Sequence, residues 1–389
     1  MIERRAAETL LRLSRGFPVV AITGPRQSGK TTLARAVFPQ KPYVSLESPD
    51  VRAFAQSDPR GFLANYPDGA ILDEVQHCPE LFSYLQEQVD RERRMGQFVL
   101  TGSQQFGLRS RITQSLAGRV GLVQLLPFSA GELADAGRLP AELDTVLYTG
   151  AWPPLYDRDL RPADWYPAYV ATYLERDLHQ LIHVRDLSAF QRFLRLCAGR
   201  TGQLLNLSAI AIECGITHNT AKAWVSVLES SYIVHLLRPH HRNFAKRLVK
   251  APKLYFCDTG LACWLLGIQE PGQLALHPHR GALFENWVVA ELLKGRLNRG
   301  LASNLHFWRD GAGNEVDVLI DHGQRLQPVE VKSGMTVVPD WFSGLQRWCA
   351  LAGEEAHKPM LVHGGEERQH RTHATVLPWR LIEELSAEA

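Results

Sequence analysis

"GPRQSGKT", residues 24–31, fits the pattern G-x-x-x-x-G-K-[ST] through Gly24, Gly29, Lys30 and Thr31. Before it, "PVVAIT" (18–23) is a short β-branched run that reads as a buried strand, and after it "TLARAVF" reads as a helix. Strand, loop and helix together are the setting in which this pattern means phosphate binding. Glycines let successive backbone N–H groups wrap phosphate oxygens, and the helix that follows adds its positive N-terminal end. Gly24, Pro25, Arg26, Gln27, Ser28, Gly29, Lys30, Thr31 and Thr32 are therefore expected to hold the triphosphate of ATP. Lys30 would reach the β- and γ-phosphates, Thr31 would ligate Mg2+, and Thr32 would lie nearer the α-phosphate.

Such a loop predicts a second, acidic strand. "GAILDEV" (69–75) supplies three apolar residues ending in Asp73 and Glu74. Asp73 is expected to hold Mg2+ through water, and Glu74 to polarise the attacking water. A further strand, "QFVLTGSQ" (97–104), ends in Ser103 and Gln104, either of which would sense the γ-phosphate. Hydrolysis also needs a cation on the transition-state charge, often lent by a neighbouring subunit. Arg119 is the first candidate and Arg109 the second, and an arginine acting in trans requires an oligomer.

The bulk numbers are those of an ordinary globular chain. At 389 residues it exceeds one typical core, and ~150 residues per domain suggests two or three units. With 45% apolar and 22% charged residues it lacks the composition of a disordered protein. A net charge of +2 decides nothing about partners, because a balanced total can hide local patches. The six cysteines form no C-x-x-C pair, so neither a zinc ribbon nor a disulfide framework is indicated. The N-terminal "MIERRAAETLLRLSRGF" reads as an amphipathic helix, not a signal peptide, and no apolar run approaches the ~18 residues of a membrane span. A cytoplasmic protein without membrane contact is expected.

The ordered runs "AITGPRQSGKTTLAR", "AILDEVQ", "LTGSQ", "LAGRV…LLPFS", "YLERDL" and "KLYFCDTGL" resemble the prokaryotic AAA-family ATP-binding proteins that carry a C-terminal domain of unknown function. The resemblance covers nearly the whole chain. It implies an α/β fold: a catalytic-glutamate P-loop core with an additional strand and helices on both faces of a parallel sheet. It implies no known reaction beyond nucleotide hydrolysis.

"GAWPPLYD" (150–157) breaks the periodic pattern, so an ATPase domain is expected over 1–150 and a helical linker over 151–195. In the linker, Glu175, Arg176 and Asp177 would face the nucleotide, a neighbouring subunit or only solvent. Residues 207–229 show a short helix, a turn at Gly215 and a second helix, which is helix-turn-helix spacing. The strands "SYIVHLLR" and "PKLYFCD" follow, flanking a candidate wing in a winged-helix domain over 196–260. His218, Asn219 and Lys222 open the recognition helix. Arg238, Arg242, Lys246, Arg247, Lys250 and Lys253 form a stretch without carboxylates that suits phosphate neutralisation. Docking of another protein is the competing use of such a module.

Over 261–389 a helix, "RGALFENWVVAELLKGRL", precedes the strands "LHFWRD", "EVDVLID" and "PVEVKSG". Strand alternation puts Asp317 on one face of its strand, and Glu330 and Lys332 together on one face of the next. If the two strands pair, close carboxylates require a cation, which Mg2+ on Asp317 and Glu330 would supply, with Lys332 beside the hydrolytic water and Glu285 reaching in from the helix. The group resembles the PD-(D/E)xK nuclease core. An oligomeric ATPase acting on nucleic acid, DNA first, is the expectation, with a hexamer as one arrangement. The alternative is a regulatory ATPase whose winged helix and inactive nuclease-like domain mediate protein assembly.

Overall fold

The computed structural model describes residues 2–103, 115–174, 186–240 and 250–389. Gln104, Arg109, Glu175, Arg176, Asp177, Arg242, Lys246 and Arg247 lie outside the described residues. The chain divides into two compact units. The first comprises Met1–Phe128, Ser230–Tyr232 and Leu297–Leu301, and the second Ser129–Glu229, Ile233–Arg296 and Ala302–Ala389.

In the first unit, α1 (Ala6–Gly16) leads into β1 (Val19–Thr23) and, past the loop, α2 (Lys30–Val37). Then come β2 (Tyr43–Ser45), α3 (Pro49–Ser57), α4 (Pro59–Ala64), β3 (Ile71–Asp73), α5 (Leu81–Glu92), β4 (Phe98–Gly102) and β5 (Val120–Gln124). The five strands form one parallel sheet in the order β2-β3-β4-β1-β5. Every residue of β1 is buried, because a parallel sheet is covered on both faces. Val20 and Ile22 pack with Leu10 of α1 and Leu33 of α2. Val19 and Ala21 point the other way, towards Phe62, Leu81 and Leu85 of α4 and α5. Each such aliphatic side chain contributes about 1.5–3 kcal/mol when fully buried. Parallel strands also share one C-terminal edge, so Thr23, Asp73 and Gly102 end on the same side of the sheet.

The second unit contains α6 (Leu187–Ala198), α7 (Leu207–Cys214) and α8 (His218–Ser230). Asn206 caps α7 by accepting from the Ala209 N–H at 3.0 Å, and Thr217 does the same for the Thr220 N–H of α8 at 3.1 Å. Ala221, Trp224, Val225 and Leu228 bury one face of α8, leaving His218, Asn219 and Lys222 exposed on the other.

The strands β6 (Val234–Pro239), β7 (Lys253–Phe256), β8 (Leu305–Arg309), β9 (Glu315–Asp321), β10 (Leu326–Lys332), β11 (Met360–His363), β12 (Gln369–His370) and β13 (Thr375–Pro378) make one sheet, in the order β12-β13-β11-β10-β9-β8-β6-β7. The sheet therefore crosses residue 260, where the sequence suggests a boundary: β6 pairs with β7 on one side and with β8 on the other. The strands β8, β9 and β10 run as an antiparallel meander preceded by α9 (Arg280–Asn298). Next, α10 (Ser343–Ala352) crosses over to β11, which is parallel to β10. Trp308, Val316, Leu345, Trp348 and Leu361 share the core beneath α10.

Candidate functional site

At the end of β1 the backbone turns sharply into the loop. Gly24 has φ 156°, and a Cβ there would lie 2.1 Å from the Leu125 carbonyl oxygen, so no side chain fits. Gln27 and Gly29 also have positive φ, 61° and 90°. Runs of N–H groups in such conformations form anion-binding concavities. The Ser28 hydroxyl is buried among them with no hydrogen-bond partner. Lys30 is buried and turns back on its own loop, donating to the carbonyls of Gly24 (3.1 Å) and Pro25 (2.7 Å). Burial lowers its pKa to about 8 against the opposing pull of Glu74 and Asp73.

Across the edge of the sheet the acidic strand meets the loop. Asp73 accepts from the Thr31 hydroxyl at 2.8 Å and from Tyr43 at 2.8 Å, and Thr101 donates to the same oxygen as Thr31. Glu74, at φ 55°, leaves the strand direction. Its carboxylate accepts from Ser103 at 3.1 Å and from the Gln76 amide. The backbone N–H of Glu74 donates to Thr101 at 3.4 Å. Thus Lys30, Thr31, Asp73, Glu74 and Ser103, picked from sequence, converge. Thr32 follows in the first turn of α2.

Arg119 is elsewhere. It precedes β5, and the register Val19↔Val120 places it at the opposite edge of the sheet, about 16 Å from the loop for a five-residue strand. There it makes a two-pronged contact with Asp90, at 2.5 and 2.8 Å. It cannot reach the phosphate loop of its own chain.

Sequence reasoning missed several partners. Thr101 and Tyr43 hold Asp73, and Gln76 holds Glu74. Arg4 lies under the loop, donating to the Ser28 carbonyl at 2.7 Å and to that of Leu126 at 2.7 Å, with its guanidinium over the Phe128 ring. The Tyr232 hydroxyl meets that of Thr23 at 2.8 Å. A polar residue ending β4 was a usable signal for Thr101, whereas nothing local marks Arg4 or Tyr232.

In the second unit, β9 and β10 pair in the register Val318↔Val329, and the side chain of Asp317 then accepts the Val331 N–H at 2.8 Å. Continuing that register sets Glu330 opposite Asp317. Lys332 donates to Glu330 at 2.6 Å and lies 3.9 Å from Asp317. The second oxygen of Glu330 is buried without a partner. Burial, then the negative charge of Asp317, raises Glu330 to about 8, and the same two causes raise Glu285 to about 7.

Two further groups stand here. Glu285, Glu315 and Asp317 offer oxygens within 4.8 Å of one another. The ammonium of Lys253 bonds Glu285 at 2.8 Å and also bonds Glu315. Lys253 is only 2% exposed, so its expected place among cations facing nucleic acid is corrected: the acidic cluster holds it inside, while Arg238 and Lys250 are exposed. Glu315 was legible, two positions before Asp317 on a strand and hence on the same face.

A five-stranded parallel sheet in this order, with a glycine-framed loop at β1 and an acidic end to β3, defines a P-loop ATPase of the AAA type, and residues 16–134 match the family described as AAA domain. The chain belongs to the family of the uncharacterized proteins Rv2008c of Mycobacterium tuberculosis and Mb2031c of Mycobacterium bovis. Each is 33% identical over 373 residues, covering 95% of this chain and 81% of the relative. Residues 140–272 and 280–382 match two domains of unknown function, DUF8612 and DUF4143. Among solved structures, the Walker-type ATPase paby2304 of Pyrococcus abyssi is 16% identical, covering 68% of this chain and 96% of that one, with a TM-score of 0.45. The AMPPCP-bound DnaA of Aquifex aeolicus is 14% identical, covering 58% and 85%, at 0.31. No helix among the described residues is long and apolar enough to cross a membrane.

Proposed function

We propose that this AAA-type ATPase hydrolyses Mg·ATP at the edge of the parallel sheet and couples turnover to work on DNA, through a winged helix and a nuclease-like domain. The observation that carries the first part is the Thr31–Asp73 hydrogen bond, with Glu74 held beside it by Ser103. Thr31 and Asp73 are the pair that would hold Mg2+, and the orphaned Ser28 hydroxyl fits a loop made for phosphate. The ion, when bound, neutralises charge on the phosphates. Lys30 would leave its loop carbonyls for the phosphate oxygens. Glu74, oriented by Ser103 and Gln76, would take the proton of the attacking water. Arg119 can serve only a neighbouring subunit, so turnover by this route needs an oligomer, of which a hexamer is one form.

For the second unit, α9, the β8-β9-β10 meander and the crossover through α10 to β11 support the nuclease-like reading, and the buried unpartnered oxygen of Glu330 fits a divalent ion held with Asp317. Lys332 stands beside them, and Glu285 holds the far side of the cluster. Along the chain we assign 1–150 to the ATPase domain, 151–195 to a linker, 196–260 to the winged helix and 261–389 to the nuclease-like part, the last two on a shared sheet. The exposed His218, Asn219 and Lys222 of α8 supply the nucleic-acid face, with Arg242, Lys246 and Arg247 assigned from sequence. Retention on duplex DNA should weaken steeply with salt, and Lys222→Ala should reduce the slope of log affinity against log salt by ~1. Retention indifferent to salt and to Lys222 would instead favour a regulatory ATPase that docks protein.

A further inference from the structure

The acidic centre of the second unit has two halves. On one side Glu330 presents a buried, unpartnered oxygen near Asp317, with Lys332 at its outer edge. On the other, Glu285 and Glu315 close on the ammonium of Lys253, which Tyr255 supports by donating its hydroxyl to the same oxygen of Glu285. Lys253 is as enclosed as any charged group among the described residues: its side chain is 3% exposed, and its ammonium lies 5.6 Å from the centre of the Phe307 ring. Burial strips hydration from this ammonium and works against its charge, but Glu285, Asp317 and Glu315 outweigh that and raise its pKa above the ordinary lysine value.

Glu285, Glu315 and Asp317 are also the group whose oxygens lie close enough to share a cation. The position that a second divalent ion would take is thus filled by the protein's own cation, delivered from β7, outside the helix and strands that carry the other acidic residues. We propose that Lys253 is a resident cation of this centre, so that the Glu285–Glu315 half excludes divalent metal and only the Asp317–Glu330 half is open to one ion. Lys253 is a positioning residue here. It fixes Glu285 and Glu315 and limits the metal count. The one-ion part of this inference rests on the proposed nuclease-like reading, whereas the exclusion by Lys253 does not.

The test is the number of Mn2+ ions bound per chain, followed by titration calorimetry and by the paramagnetic signal of free Mn2+, without nucleotide and with Asp73→Asn in every protein compared, so that the ATPase site holds no ion. Lys253→Met is expected to bind one more Mn2+ than the wild type, and equal stoichiometry in a folded Lys253→Met protein would overturn the proposal. Glu330→Gln, which leaves Lys253 and its partners in place, covers the case in which the methionine variant does not fold. It is expected to abolish the wild-type Mn2+ site, and undiminished binding would place the ion on Glu285 and Glu315, against the proposal. If the wild type takes up no Mn2+ at the second unit, the metal reading of Asp317 and Glu330 fails. The resident-cation inference then stands if Lys253→Met or the smaller Lys253→Ala gains a site, and falls if neither does.

Discussion

Asp73 and Glu74 take their side-chain hydrogen bonds from neutral groups: the hydroxyls of Thr31, Tyr43, Thr101 and Ser103 and the amide of Gln76. In the second unit, Glu285, Glu315 and Glu330 face the ammonium groups of Lys253 and Lys332. Neutral donors orient a carboxylate without cancelling its charge, so the first centre keeps its negative potential for a cation or a proton. Ammonium groups cancel charge on the spot, yet burial, and after it the charge of Asp317, still raises the pKa values of Glu285 and Glu330. The proposed ATPase mechanism uses the first arrangement on a ligand that brings its own cation. The second already carries two cations of its own among its carboxylates.

The sharpest way to break this contrast is to remove one carboxylate from the second centre. Asp317→Ala should eliminate any Mg2+-dependent cleavage of DNA while leaving the ATPase rate unchanged, measured side by side on one preparation. Loss of both activities would show that the centres are not separable. Next in size, Lys30→Ala should weaken ATP binding by ~100-fold, about the 3 kcal/mol of one charged hydrogen-bonding group, as read by fluorescent-nucleotide titration.

A smaller effect comes from pH. The Lys30 ammonium must be charged to meet phosphate, and in the free protein its pKa is depressed to about 8. Bound phosphate raises that pKa, so the protonated form is favoured in the complex. ATP affinity should therefore be flat below about pH 8 and fall by about tenfold per unit above it, until the pKa of the complex is reached. A flat profile through that range would mean that Lys30 is not the group that pairs with phosphate.

Much of the first centre was legible because local signals and fold agree. The loop pattern fixes strand, turn and helix, and a parallel sheet brings the ends of β1, β3 and β4 to one edge, which is why Thr31, Asp73 and Ser103 meet although they are far apart in sequence. Arg4 and Tyr232 were illegible because they reach the loop by tertiary packing alone. In the second unit, period-two alternation together with the supposed pairing of the two strands brought Asp317 near Glu330, and alternation applied once more gives Glu315. Lys253 could not be placed that way. In a stretch rich in cations it looks like surface, and only the pairing of β6 with β8 carries β7 into the same sheet as the acidic strands. Arg119 lies far from its own loop, and its Asp90 partner left no trace in the sequence pattern.

In the proposed mechanism Glu74 turns a phosphate-binding loop into a hydrolytic one. Glu74→Gln keeps the side-chain volume and the hydrogen bond to Ser103 but removes the base. Bound nucleotide and phosphate release measured together in this variant should show ATP held as tightly as by the wild type and turnover reduced by ~10²–10⁴-fold. Wild-type turnover in Glu74→Gln would rule out that role for Glu74.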